Sequence, residues 1–324
     1  MSQTFDIAVL GATHLVGEAL LELLEECGFA VGRVLALSFE EEHGQVAPFR
    51  GRSLRVQPLS RVDLQGIDLL FALEALTAAQ RTAIQAAGCR LIEWPAQSPL
   101  PCALAVAAAP LPAAVRSPLP AVIALAEVLA PLQGLLEIRY LHVTAALAAA
   151  QRGREGVEEL ARQTAQLLNA RPVEPAVFAQ QLAFNLLASS SPEQGGRNQD
   201  EQRLVSELAG LPGLAEVPVA VTCLQAPVFF ADSLVLSVQC AQPVDLPALA
   251  AILEAAPGLE YLDAEPWPSA VEDATGQDLA YVGRLRRGLS DPCQFSLWIT
   301  ADSVRIGAAH AIRLAERLLE APRD

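Results

Sequence analysis

Lysine is missing from this chain altogether; all 22 basic side chains are arginine. We attribute this to coding bias rather than to function. Positive charge is scarce as well: 37 acidic residues leave a formal net charge of −15. That balance excludes non-specific nucleic-acid binding, which needs a basic face to meet phosphate. No apolar run of about 18 residues or more is free of polar interruption and proline, so no membrane span is expected. The first residues lack a basic start and Asp6 interrupts the apolar stretch, so no signal peptide is expected either. The six cysteines, Cys27, Cys89, Cys102, Cys223, Cys240 and Cys293, form no C-x-x-C pair. A zinc knuckle and a disulfide framework are thereby excluded. We expect most of them to be small core residues in a reduced, cytoplasmic protein. His142 and His310 show no metal-ligand spacing and read as structural, so no metal is expected.

The chain's 324 residues, 52% of them hydrophobic, suffice for two domains with a substantial core. Residues 5–10 read as a short buried strand. Gly11-Ala12-Thr13-His14-Leu15-Val16-Gly17 follows, then a helix pattern over 18–27 with Leu20, Leu23 and Leu24 on one face. Strand, glycine turn and helix in that order open a nucleotide-binding α/β domain. Such a turn brings backbone close to a pyrophosphate, with the helix N-terminus aimed at its charge. Gly11, Thr13, Val16 and Gly17 are the candidate cofactor contacts. His14, however, stands where the middle, phosphate-approaching glycine belongs, and its side chain fills space a cofactor would use.

Strands over 34–37, 69–73 and 90–93 alternate with a helix over 77–87 that Gly88 stops, which implies a parallel sheet. Residues 95–120 are rich in proline and alanine. A helix over 120–130 follows, closed by Pro131. Beyond it the pattern predicts a strand over 139–149 and a helix over 155–168. Strands over 217–228 and 233–240 suit an antiparallel sheet. Residues 189–200 read as a polar exposed loop. A helix over 246–256, a strand over 294–300 and an amphipathic helix over 304–319 complete the chain. The fold class is therefore α/β: a Rossmann-like nucleotide-binding domain with a parallel sheet, and a second α+β domain. We expect residues 1–130 with 303–324 in the first and 131–302 in the second.

Several segments together carry a family resemblance. They are the first turn, the helix start at Glu155, Ala183-Phe184-Asn185, Thr222 to Val228, Tyr281-Val282-Gly283-Arg284-Leu285-Arg286, and Leu297-Trp298 through Gly307-Ala308-Ala309. In this order the chain resembles the aspartate-semialdehyde dehydrogenase family, and most of all its catalytically degenerate USG-type paralogues. The resemblance covers nearly the whole chain. It implies a dimer made by the second domain. It also implies a reaction in which a cysteine thiolate attacks a carbonyl, a histidine acts as acid and base, an arginine holds the substrate carboxylate, and a nicotinamide cofactor carries hydride.

Position by position, the resemblance puts other residues where that chemistry belongs. Counting back from Pro131-Leu132 places Pro120 at the nucleophile, and no cysteine lies between Cys102 and Cys223. In the stretch Gln225-Ala226-Pro227-Val228-Phe229-Phe230-Ala231-Asp232-Ser233, Gln225 takes the place of the carboxylate-binding arginine and Asp232 that of the histidine. Ala146-Leu147 replaces Tyr-Gln, and Ala150-Gln151-Arg152-Gly153 brings bulk where the nicotinamide packs. Glu40-Glu41-Glu42 replaces the residues that grip a 2′-phosphate, which disfavours NADP. Asp302-Ser303 replaces an Asp-Asn that touches cofactor. Arg203 stands in for a phosphate-binding lysine and is the candidate anion site, with Glu207 one helical turn on. The expectation is a non-catalytic homologue, a dimeric binding or regulatory protein. It needs no cofactor, binds NAD or NADP weakly if at all, and is open to a protein partner. The alternative is an NAD(P)-dependent semialdehyde dehydrogenase of amino-acid biosynthesis with a relocated nucleophile, for which Cys102 is the candidate.

Overall fold

The computed structural model describes residues 4–39, 45–189 and 191–320. Glu40-Glu41-Glu42 lies outside the described residues. The chain divides into two compact units, Met1–Pro118 with Gly307–Asp324, and Leu119–Ile306.

In the first unit, β1 (Phe5–Leu10) leads through the glycine turn into α1 (Leu15–Glu26) and β2 (Val31–Ser38). A hairpin of β3 (Val46–Phe49) and β4 (Arg52–Arg55) follows, then β5 (Gln57–Pro58), β6 (Leu69–Ala72), α2 (Ala78–Ala86), β7 (Arg90–Glu93) and β8 (Ala114–Arg116). Apart from the hairpin, these strands form one parallel sheet in the order β5-β2-β1-β6-β7-β8. Parallel sheets are covered on both faces, so their strands read as unbroken apolar runs. Ile7, Ala8, Val9 and Leu10 are indeed all fully buried. Thr77 and Gln80 close α2 with a reciprocal capping box. Arg81 of α2 reaches the fully buried Glu93 at the end of β7 through two hydrogen bonds of 2.6 and 3.0 Å.

The second unit begins with α3 (Pro120–Leu129), whose residues from Ala121 onward are all buried. Next come β9 (Ile138–Leu147), α4 (Gly153–Leu168), a two-residue ladder of β10 (Glu193–Gln194) with β11 (Arg197–Asn198), and α5 (Gln199–Leu208). β12 (Val219–Gln225), β13 (Ala231–Cys240), α6 (Leu246–Ala255), β14 (Leu259–Leu262), β15 (Ala280–Arg287) and β16 (Gln294–Asp302) complete it. Helix α7 (Ser303–Glu320) then returns the chain to the first unit. The six-stranded sheet runs β12-β9-β13-β16-β15-β14.

Three sequence expectations differ from this structure. Helix α3 belongs to the second unit, not the first. A helix buried all round needs partners on every side, and α3 packs on α5, β13 and β16. The antiparallel expectation holds for β13, which runs antiparallel to β9 and β16, but not for β12, which lies parallel to β9. The polar stretch 189–200 is not loop throughout, because α5 starts at Gln199 with Asn198 as its cap, accepting from the Asp200 N–H.

Among the described residues, no helix is long and apolar enough to cross a membrane. Among the same described residues, no His, Cys, Asp and Glu side chains gather into a group of three able to hold a metal ion.

Candidate functional site

The glycine turn sits in the first unit. Gly11 takes a left-handed φ of +85°, which favours glycine. A side chain on Gly17 would collide with the carbonyl of Gly11. Both glycines are thus required by the turn itself, with or without a ligand. His14 is the N-cap residue of α1, yet its side chain makes no capping bond. Its ring folds back over Gly11 instead: Nδ1 lies 3.1 Å from where a Gly11 Cβ would stand. The Glu74 carboxylate lies 3.8 Å from its Nε2. Thr13 and Val16 are half-buried beside it. An imidazole over the glycine and a carboxylate beside it add bulk and negative charge at this turn, which disfavours a pyrophosphate there.

The remaining candidates fall in the second unit, around the start of α3 and the ends of β9, β12 and β13. Pro120 is at the first position of α3, where its fixed φ and missing N–H suit a helix start. The carboxylate of Glu207, 2% exposed, lies at that start. Its Oε2 accepts from the Leu119 N–H at 2.6 Å, and its Oε1 accepts from Arg203 Nε at 2.6 Å. The positive end of α3 thus faces a carboxylate of the chain's own. Arg203, the candidate anion site, is itself ion-paired to that carboxylate.

Gln225 and Asp232 grip one peptide unit from two sides. Gln225 Nε2 donates to the carbonyl of Leu147 at 2.8 Å. Asp232 Oδ1 accepts from the N–H of the next residue, Ala148, at 2.8 Å. The second oxygen of Asp232 accepts from Gln151 Nε2 at 2.7 Å. Both side chains are buried, Gln225 at 1% and Asp232 at 2% exposure. Among the described residues, the Gln225 Oε1 meets no partner. Beside Gln151, Arg152 pairs with Asp200 at 3.5 Å, and Glu201 Oε1 accepts from the Cys223 N–H at 2.9 Å.

Acidic groups outnumber basic ones in this cluster. Burial pushes the Asp232 carboxyl up from 3.8 to about 7, against the lowering effect of its two hydrogen bonds, with Asp302 and Asp200 adding to the rise. Burial and the carboxylates of Asp200, Glu201 and Asp232 likewise push the Cys223 thiol far up, so it holds its proton at neutral pH. Between about pH 4 and 7 the folded chain keeps an Asp232 proton that the unfolded chain has released. Stability from this group therefore falls as pH rises through that window. Asp232→Asn, with the Gln151 amide turned to present its oxygen, removes the loss. We expect the variant to be the more stable at pH 8, by up to roughly 4 kcal/mol for a rise of about three units. The gap should close toward pH 4. Denaturant midpoints across the range check this; a gap that does not vary with pH contradicts it.

Asp302 is also structural. Its Oδ1 accepts from the Val304 and Arg305 N–H groups at the start of α7, and its Oδ2 from the Gly276 N–H. His310 is 1% exposed in the first unit, accepting from the Ala105 N–H at 3.0 Å and bonded to Ser117 Oγ at 3.2 Å. Burial, then Arg313 and Arg317, push its pKa down to about 3. Cys102 is half-buried and bridges to Arg116 in the irregular stretch before β8.

A parallel sheet opened by a glycine turn, followed by a mixed-sheet domain, defines a two-domain protein built on a dinucleotide-binding-type architecture. Residues 6–97 match the family model for the semialdehyde dehydrogenase NAD binding domain, and 129–306 that for the semialdehyde dehydrogenase dimerisation domain. The chain belongs to the semialdehyde dehydrogenase family. It is 44% identical to a USG-1 protein homolog of Azotobacter vinelandii, over 99% of each chain. It is 32% identical to aspartate-semialdehyde dehydrogenase 2 of Vibrio cholerae, over 98% of this chain and 99% of that one. The solved structure of a probable aspartate-semialdehyde dehydrogenase from Pseudomonas aeruginosa matches with a TM-score of 0.90 and 43% identity, over 98% and 99% of the two chains.

Proposed function

We propose that this chain is a non-catalytic homologue of aspartate-semialdehyde dehydrogenase, working as a homodimeric binding or regulatory protein. One observation carries the reading. Gln225 and Asp232, at the positions the resemblance gives to the substrate-binding arginine and the catalytic histidine, are both engaged in clamping the Leu147–Ala148 peptide. A buried carboxyl with both oxygens bonded inside the chain lacks the reach to a substrate proton that a general base needs. Pro120, at the nucleophile's position, has no nucleophilic atom. The dimer is supported by the family of the second domain.

Titration calorimetry with NAD and NADP tests the reading at the turn. The wild type should bind weakly or not at all at micromolar ligand, NADP worse than NAD; binding restored by His14→Gly alone would make the turn, rather than the Gln151-Arg152 loop or the acidic run at Glu40-Glu41-Glu42, the main block. A low-micromolar dissociation constant for NADP with the wild type contradicts it, and favours a working dehydrogenase with its nucleophile elsewhere.

A further inference from the structure

Among its described residues, the segment between α4 and β10 has no helix or strand before residue 193, yet it is fastened at several points. Buried Glu159 accepts from the Ala176 and Val177 N–H groups. Buried Gln163 accepts through Oε1 from the Leu182 and Ala183 N–H groups. Phe178, Leu182 and Ala183 pack with Leu160 in one apolar cluster. Leu187 exchanges two backbone hydrogen bonds with Gln225 at the end of β12.

Between these fixed points the chain does something costly. Phe184 takes a φ of +58°, in the left-handed region that a bulky side chain avoids. The residue is nonetheless 68% exposed, with Leu186 55% exposed two residues on. The conformation is enforced from both sides. The Asn185 N–H donates to the Leu182 carbonyl, and the Asn185 side chain bonds the Gln181 carbonyl and the Leu186 N–H. Asparagine tolerates the left-handed region, yet it stands next door at 185 while the aromatic holds the strained position. Strain kept by a rigid surround around an exposed aromatic marks a functional contact.

Charge points to the occupant. This chain carries −15, so two copies repel except where charge is absent. Residues 175–189 contain no charged side chain. They lie within the stretch that matches the dimerisation domain. A two-fold contact sets the same patch on both subunits, and an uncharged patch with a rigid aromatic is self-compatible.

We propose that Phe184, presented with Leu186 by this fastened segment, is the aromatic anchor of the contact with a second copy of this chain. The proposal rests on the homodimer reading above. Sedimentation velocity from nanomolar to micromolar protein tests it on the wild type, Phe184→Gly, Phe184→Asn and Phe184→Tyr. Glycine and asparagine accept the left-handed backbone, so both variants keep the fold, which thermal melting checks. The wild type should sediment at twice the 34.3 kDa chain mass. The dimer dissociation constant should rise about thirtyfold or more in the glycine and asparagine variants, as for a hot-spot residue. The tyrosine variant should keep the wild-type value. Folded glycine or asparagine variants that associate like the wild type would overturn the role of Phe184 and leave the homodimer standing. A wild type of 34.3 kDa at every concentration would overturn both.

Discussion

Glu207→Ala should destabilise the second unit by about 3–5 kcal/mol, the range for removing one partner of a buried ion pair. Three effects add. Arg203 loses the carboxylate bonded to its Nε at 2.6 Å, in a setting where its own side chain is only 19% exposed. The Leu119 N–H loses its acceptor at the start of α3, and a buried unsatisfied donor costs about 1–3 kcal/mol. The helix N-terminus also loses a favourable negative charge. Glu207→Gln keeps an acceptor for Leu119 but not the charge, so its loss should be smaller. Because the pair is coupled, Arg203→Met in the Glu207→Ala background should recover part of the loss. Denaturant unfolding of the wild type, Glu207→Ala, Arg203→Met and the double variant checks this; additive single losses would contradict a direct pair.

Local features of the sequence carried much of the fold. The apolar run of β1, the two glycines of the turn and the Thr77–Gln80 cap each act within a few residues, where periodicity and backbone demands are legible. The direction of β12 was not read correctly, since alternation looks alike in parallel and antiparallel strands. The signal lay in the connection: two helices, α4 and α5, separate β9 from β12, and a crossover of that length permits a parallel pair. In the site, the resemblance pointed to Pro120, Gln225, Asp232 and Arg203, but gave none of their contacts. The Arg203–Glu207 pair follows from their four-residue spacing on a helix. Glu207 meets Leu119 across 88 positions of sequence, and Asp232 meets Gln151 across 81. Contacts of that separation are set by tertiary packing, and no local pattern announces them. The same is true of Phe184, whose exposure is visible only once its neighbours are seen to be fastened.

The central claim is that the side chains at these positions brace the fold and perform no chemistry. Removing the nucleophile or base of a covalent catalytic unit typically lowers turnover by about 10⁴–10⁶-fold. Here the resemblance assigns nucleophile, base and carboxylate-binding positions to Pro120, Asp232 and Gln225, so no turnover is expected to survive. The most direct test is phosphate-dependent reduction of NADP by the purified protein with L-aspartate semialdehyde, followed as NADPH absorbance at millimolar substrate. The account predicts a rate equal to the no-protein blank, unchanged by Cys102→Ala. A rate well above blank that Cys102→Ala abolishes would contradict it, and would make Cys102 the nucleophile.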